Sequence, residues 1–307
     1  MFINVLSQVI VLLILILLGV LLTRLKMLNE TTVKQMTDLV LLFVTPCVII
    51  KSFMREFDPV LIKKLLISFL ISILVHICYI IISNLLIRDD NKKKEKVLRF
   101  AAVFSNCGFM SIPLLEAITG DIGVFYGTTY LAIFNVLIWS YGVFLMSGRK
   151  KEFSAKKIII NPGIIGISIA LIVFFFNIPL QKVTVISQPI NFMAGLNTPL
   201  PMIIIGYHLA NSNLLDALKN HKAIFSMLLK LIVFPLLTLF GMYVCGIRGE
   251  VLVAITISAS APTAAITTMF SSKFGQDTPL SVSIVSLSTI FSIITMPIII
   301  TLAQIIA

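Results

Sequence analysis

Apolar runs long enough to cross a bilayer recur from one end of this chain to the other. About 30 Å of hydrocarbon requires roughly 20 helical residues. The first run, residues 5–22, is broken only by Ser7, Gln8 and Gly19. It has no basic segment before it and no small-residue cleavage site after it, so it is expected to be a retained first span rather than a signal peptide. Composition agrees: 58% of the 307 residues are hydrophobic and 12% are charged, whereas a water-facing domain carries about 25% charged residues. Helices are the only open-ended structure that satisfies its own backbone in lipid, so the expectation is an all-α integral membrane protein.

On the 20-residue measure, ten spans are predicted at about 5–23, 35–54, 61–87, 97–118, 122–147, 158–177, 187–209, 222–245, 250–271 and 278–304. The fourth, seventh and ninth contain Pro, Gly and polar residues. The formal charge of +11 does not indicate a nucleic-acid partner, because the basic residues sit between apolar runs. Seventeen Lys and Arg fall in the loops after odd-numbered spans, notably 88–99 and 149–157, and six fall in the loops on the other side. The positive-inside rule then makes the lysine-rich loops cytoplasmic and both termini extracytoplasmic, as expected for a multi-pass protein of the cell (plasma) membrane. Cys47, Cys78, Cys107 and Cys245 all lie in apolar runs without paired spacing, so no disulfide, metal or cofactor is expected.

A weak internal repeat is present. Thr45-Pro46 in span two is echoed by Thr198-Pro199 in span seven. Ser105 and Gly120 around span four are echoed, at nearly the same offset, by Ser260 and Gly275 around span nine. Two halves, 1–150 and 151–307, of five spans each would run in opposite senses, the inverted repeat common in secondary transporters.

The chemistry is expected where spans four and nine break. Span four carries Ser105-Asn106-Cys107-Gly108 halfway across, with Pro113 beyond; span nine carries Ser260-Ala261-Pro262-Thr263. Proline removes a donor and clashes with the preceding turn, and glycine weakens a helix further. A broken helix presents free N–H groups and the positive end of a half-helix in mid-membrane, which suits an anion. Asn106 and Thr263 would add directed hydrogen bonds. Two ionisable residues lie deep in spans: His76, as a neutral core histidine or a coupling group, and Lys230, to attract an anion, to pair with Asp38 or to snorkel. No pair of buried carboxylates suggests a cation site.

The run Asn106 to Leu115, Thr45-Pro46, Asn135 with Trp139, and the Ala261-Pro262, Phe274-Gly275, Leu287 and Pro297 pattern resemble the auxin efflux carrier family, which includes bacterial malate-permease-like proteins and plant auxin carriers. The resemblance covers essentially the whole chain. It implies ten helices in a five-plus-five inverted repeat, crossing broken helices four and nine, movement of small organic anions, and a homodimer. Asn106 matches the family's crossover asparagine and Pro262 its span-nine proline; Ser105 stands where a plant carrier has proline. The candidate substrate-binding residues are Ser105, Asn106, Gly108, Thr45, Pro46, Asn135, Asn197, Ser260, Pro262 and Thr263. An organic-anion transporter working by alternating access is the expectation. A channel or sensor is the alternative, and a membrane-embedded enzyme a distant one, since HExxH, GxSxG and a Walker loop are missing.

Overall fold

The computed structural model describes residues 2–149, 156, 159–212 and 215–307. Most of the loop 149–157, where a cytoplasmic cluster is expected, lies outside the described residues. Among the described residues the regular structure is helical, with no strands: α1 (Phe2–Arg24), α2 (Glu30–Phe53), α3 (Pro59–Leu86), α4 (Lys92–Val103), α5 (Cys107–Ser147), α6 (Pro162–Phe175), α7 (Thr184–Gly195), α8 (Pro199–Ala210), α9 (His221–Val244), α10 (Gly249–Ser260), α11 (Ile266–Lys273) and α12 (Thr278–Ile306). Six of them, α1, α2, α3, α5, α9 and α12, are long and apolar enough to cross a membrane. The apolar helices α6 and α10 are shorter, with 14 and 12 residues. Leu74, Phe192 and Val244 turn outward, Val244 being 84% exposed, which is the surface a bilayer covers.

Polar residues start the helices. Asn29, Asp58, Asn91, Asn161, Asn220 and Asp277 each accept a backbone N–H of the first turn. Inside the apolar stretches, prolines set the local geometry. Pro46, Pro113 and Pro235 each follow, two residues on, a widened π turn, at Val40–Val44, Cys107–Ser111 and Leu229–Val233. Proline lacks the N–H and crowds the carbonyl four residues back, and a π turn gives that carbonyl room.

Two glycine sites shape the bundle. Within α5, Gly120 has φ 64 and ψ −160, a conformation that a side chain resists. A Cβ added at Gly127 would come within 3.6 Å of Leu115 Cγ; on a straight helix these positions are about 18 Å apart. The two limbs of α5 therefore fold back on each other at Gly120. At the second site, α1 and α8 pack backbone to backbone through Gly19 and Gly206. A Cβ on Gly206 would lie 2.8 Å from Gly19 Cα and 2.8 Å from Val20 N. Small residues permit such close packing where no hydrophobic effect drives helices together.

The third helix packs along the second limb of α5. Ser68 on α3 donates 3.1 Å to the Tyr126 carbonyl and lies 2.9 Å from Thr129 Oγ1. Ser226 on α9 donates 2.8 Å to the Leu98 carbonyl of α4. At the lysine-rich end, ahead of the apolar part of α4, Glu95 pairs with Lys92 and Arg99, each at 2.7 Å. Burial alone would raise the Glu95 carboxyl, but the Lys92 and Asp89 N–H bonds and the Arg99 charge hold it below the usual glutamate range.

Candidate functional site

The helix of α4 stops at Val103 and resumes at Cys107, while α10 stops at Ser260 and helix resumes at Ile266. The two non-helical stretches lie side by side. Ser105 and Thr263 form an antiparallel bridge, in which Asn106 N donates 2.7 Å to the Pro262 carbonyl and Ala264 N donates 2.9 Å to the Phe104 carbonyl. Each stretch thus satisfies backbone groups that the other leaves open, as buried backbone requires. Thr263 is fixed on both sides: its N–H meets Ser288 Oγ at 3.2 Å, and its hydroxyl donates 3.1 Å to the Ala101 carbonyl.

Lys230 is the charged group at this pairing. It is 0% exposed and sits on the π turn that precedes Pro235. Its ammonium donates to Ser105 Oγ and, at 2.9 Å, to the Ala259 carbonyl at the end of α10. The Tyr79 ring centroid lies 6.0 Å from Nζ, and Tyr130 OH is 3.1 Å from Ser105 Oγ. Of the roles expected for Lys230, snorkelling is excluded by its burial. Asp38, the partner considered for it, is exposed, and no ion pair joins the two among the described residues.

His76 is fully buried beside this group, its ring centroid 4.4 Å from that of Tyr130. Its Nδ1 lies 2.8 Å from the Ser72 carbonyl, which places the proton on Nδ1, and its Nε2 has no partner among the described residues.

The structure gathers Ser105, Asn106, Pro262 and Thr263 in one place. Asn106 heads the resumed helix without a side-chain capping bond. Gly108 follows two residues on, with room for a Cβ 3.8 Å from Leu131 Cδ1. Ser260 turns back to its own helix, donating 2.9 Å to the Ile257 carbonyl. The other expected residues stand elsewhere. Pro46 packs on Gly166 of α6, a Cβ there lying 3.0 Å from Pro46 Cα, and the neighbouring Thr45 hydroxyl is buried without a partner among the described residues. Asn135 donates 2.9 Å to the Leu131 carbonyl and faces Gly163. Asn197, between α7 and α8, is buried, and among the described residues neither amide atom has a partner. Tyr130, Tyr79 and the Ala259 carbonyl were not among the expected site residues. A tyrosine or an alanine carbonyl in an apolar run carries no signal of where it points.

A small cavity of 170 Å³ opens beside Gln8 and Leu12 of α1, Pro113, Leu114 and Glu116 of α5, and Thr198. At its edge, Lys51 holds Glu116 at 2.6 Å and Asp121 at 3.4 Å.

Residues 4–300 match the family described as membrane transport proteins. An uncharacterized transporter of Methanothermobacter thermautotrophicus (strain Delta H) is 24% identical over 202 residues, which are 65% of this chain and 65% of that relative. The chain therefore spans about two thirds of that relative's length in the aligned part. With nearly its whole length matched, and with the asparagine, proline and glycine pattern described above, this chain belongs to the auxin efflux carrier family of membrane transport proteins.

Proposed function

We propose that this protein is a secondary carrier of small organic anions, with its site where residues 104–106 and 261–265 meet. The observation that carries the reading is a fully buried ammonium, Lys230, at the place where two interrupted helices pair through Ser105 and Thr263. Irregular backbone and an ionisable side chain inside a membrane bundle both mark a solute path. In this reading the six long helices, with α6 and α10 and the split segments, make ten spans in two inverted repeats, 1–150 and 151–307. The broken fourth and ninth spans cross, and alternating access exposes the crossing to either side. Membership in a transporter family and the weak sequence repeat support the arrangement. A homodimer is the assembly that the family resemblance favours.

Saturable uptake of organic acids into liposomes containing the purified protein tests the reading. Asn106→Ala is expected to lower that uptake by about tenfold or more, as for a lost hydrogen bond to a charged ligand, with little change in melting temperature. Uptake that rises linearly without saturation favours the channel reading. Unchanged saturable uptake by the variant removes Asn106 from the site.

The proposed orientation places both termini outside and 88–99 inside. A cysteine introduced at Lys93, in an otherwise cysteine-free chain, is expected to resist an impermeant thiol reagent in intact cells and to react after permeabilisation. Labelling from outside overturns the orientation.

A further inference from the structure

The helix ends at the pairing can be counted as charges. Each end of an α-helix acts roughly as half a unit charge, positive at the N-terminus and negative at the C-terminus. Four ends meet here: the C-terminal ends of α4 at Val103 and α10 at Ser260, and the N-terminal ends of α5 at Cys107 and α11 at Ile266. They cancel in pairs. The half-helix ends on which an anion was expected to rest therefore supply no net charge between them, and the ammonium of Lys230 is left as the net charge of the site. Among the described residues no carboxylate forms an ion pair with it. Its three N–H bonds face two acceptors, Ser105 Oγ and the Ala259 carbonyl, and the Tyr79 ring lies 6.0 Å away. One donor and one unit of charge remain unmatched in a fully buried place. A charge taken out of water without a partner is strongly disfavoured, and one carboxylate oxygen is the group that completes the set.

We infer that Lys230 is the counter-charge of the transported anion and that its single charge limits the ligand to one carboxylate, so that monocarboxylates are taken in preference to dicarboxylates. The inference rests on the carrier reading and names the ligand class for it. The lysine holds the ligand's carboxylate while the Ser105 hydroxyl and the Ala259 carbonyl keep the ammonium in place. A second carboxylate on the ligand enters the same apolar surroundings with no cation to meet it.

The test is binding to the purified full chain, by calorimetry or thermal shift, of matched sets on one carbon skeleton: monocarboxylates of four to eight carbons and phenylacetate, their primary amides, and the corresponding dicarboxylates. The wild-type protein is expected to bind a monocarboxylate about ten- to a hundredfold more tightly than its amide, and more tightly than the dicarboxylate. In Lys230→Met the acid-to-amide ratio is expected to fall to about one, whereas Lys230→Arg keeps a preference for the acid and guards against a methionine variant that fails to fold. A Lys230→Met protein that melts normally and still prefers the acid overturns the role of Lys230 and leaves the carrier reading standing. Equal binding of mono- and dicarboxylates by the wild type overturns the limit to one charge. Wild-type protein that binds none of the acids removes the organic-anion reading itself, and the inference with it.

Discussion

Gly206→Leu is expected to remove most of the folded protein from detergent extracts, and to lower the melting temperature sharply in whatever survives. A Cβ at this position falls 2.8 Å from Gly19 Cα and 2.8 Å from Val20 N, and closer still to the Ile16 carbonyl. These are main-chain atoms of α1, so no side chain can swing aside. The two helices must separate by an ångström or more, which strips contact along their whole crossing. Overpacking of a fitted core costs about 1–3 kcal/mol, and backbone collisions belong at or above the upper end. Gly195→Ala is the matched control, because nothing lies within 4 Å of its added Cβ. There the change is expected to be neutral or to stabilise α7 by up to about 1 kcal/mol. Equal behaviour of the two variants in a thermal-unfolding comparison removes the close crossing of α1 and α8.

Ser105→Ala is expected to destabilise the protein by about 1–3 kcal/mol and to reduce transport with it. The hydroxyl is shared among Lys230 Nζ, Tyr130 OH at 3.1 Å and the Ala259 carbonyl at 3.4 Å. Its loss leaves the ammonium with one acceptor and Tyr130 without that partner, and a buried donor left unmet costs its full desolvation. The decisive measurement is a double-mutant cycle with Lys230→Met. If the ammonium is what the hydroxyl serves, Ser105→Ala loses most of its cost once the lysine is gone. An undiminished cost in the Lys230→Met background shows that Ser105 acts through Tyr130 or through packing.

The residues of the pairing differ in how legible they were. Ser105, Asn106, Pro262 and Thr263 stood out because polar groups and proline interrupt long apolar runs, and interruptions in lipid need a reason. Their contact was only an expectation from a weak repeat and a family resemblance, since the bond from Asn106 N to the Pro262 carbonyl joins parts of the chain that no local pattern links. Lys230 was conspicuous as a charge inside a span, yet attraction of an anion, pairing with Asp38 and snorkelling outward all stayed open. Pro235 and the π turn aim it inward, and α10 supplies the carbonyl that receives it. Gly19 and Gly206 were invisible, because a glycine in an apolar helix has no side chain to declare which neighbour it admits.

Residence in the membrane and helical class were determined by the sequence by itself. Both follow from a solvent preference summed over many residues, and lipid leaves the backbone few alternatives. The transporter family was likewise legible, because its most specific motif residues lie close together between Asn106 and Leu115. The tertiary structure alone decided which interruption meets which, where the buried ammonium rests, and which two helices touch backbone to backbone. These are contacts between residues distant along the chain, set by how a whole bundle packs, and packing is a property that no single segment carries.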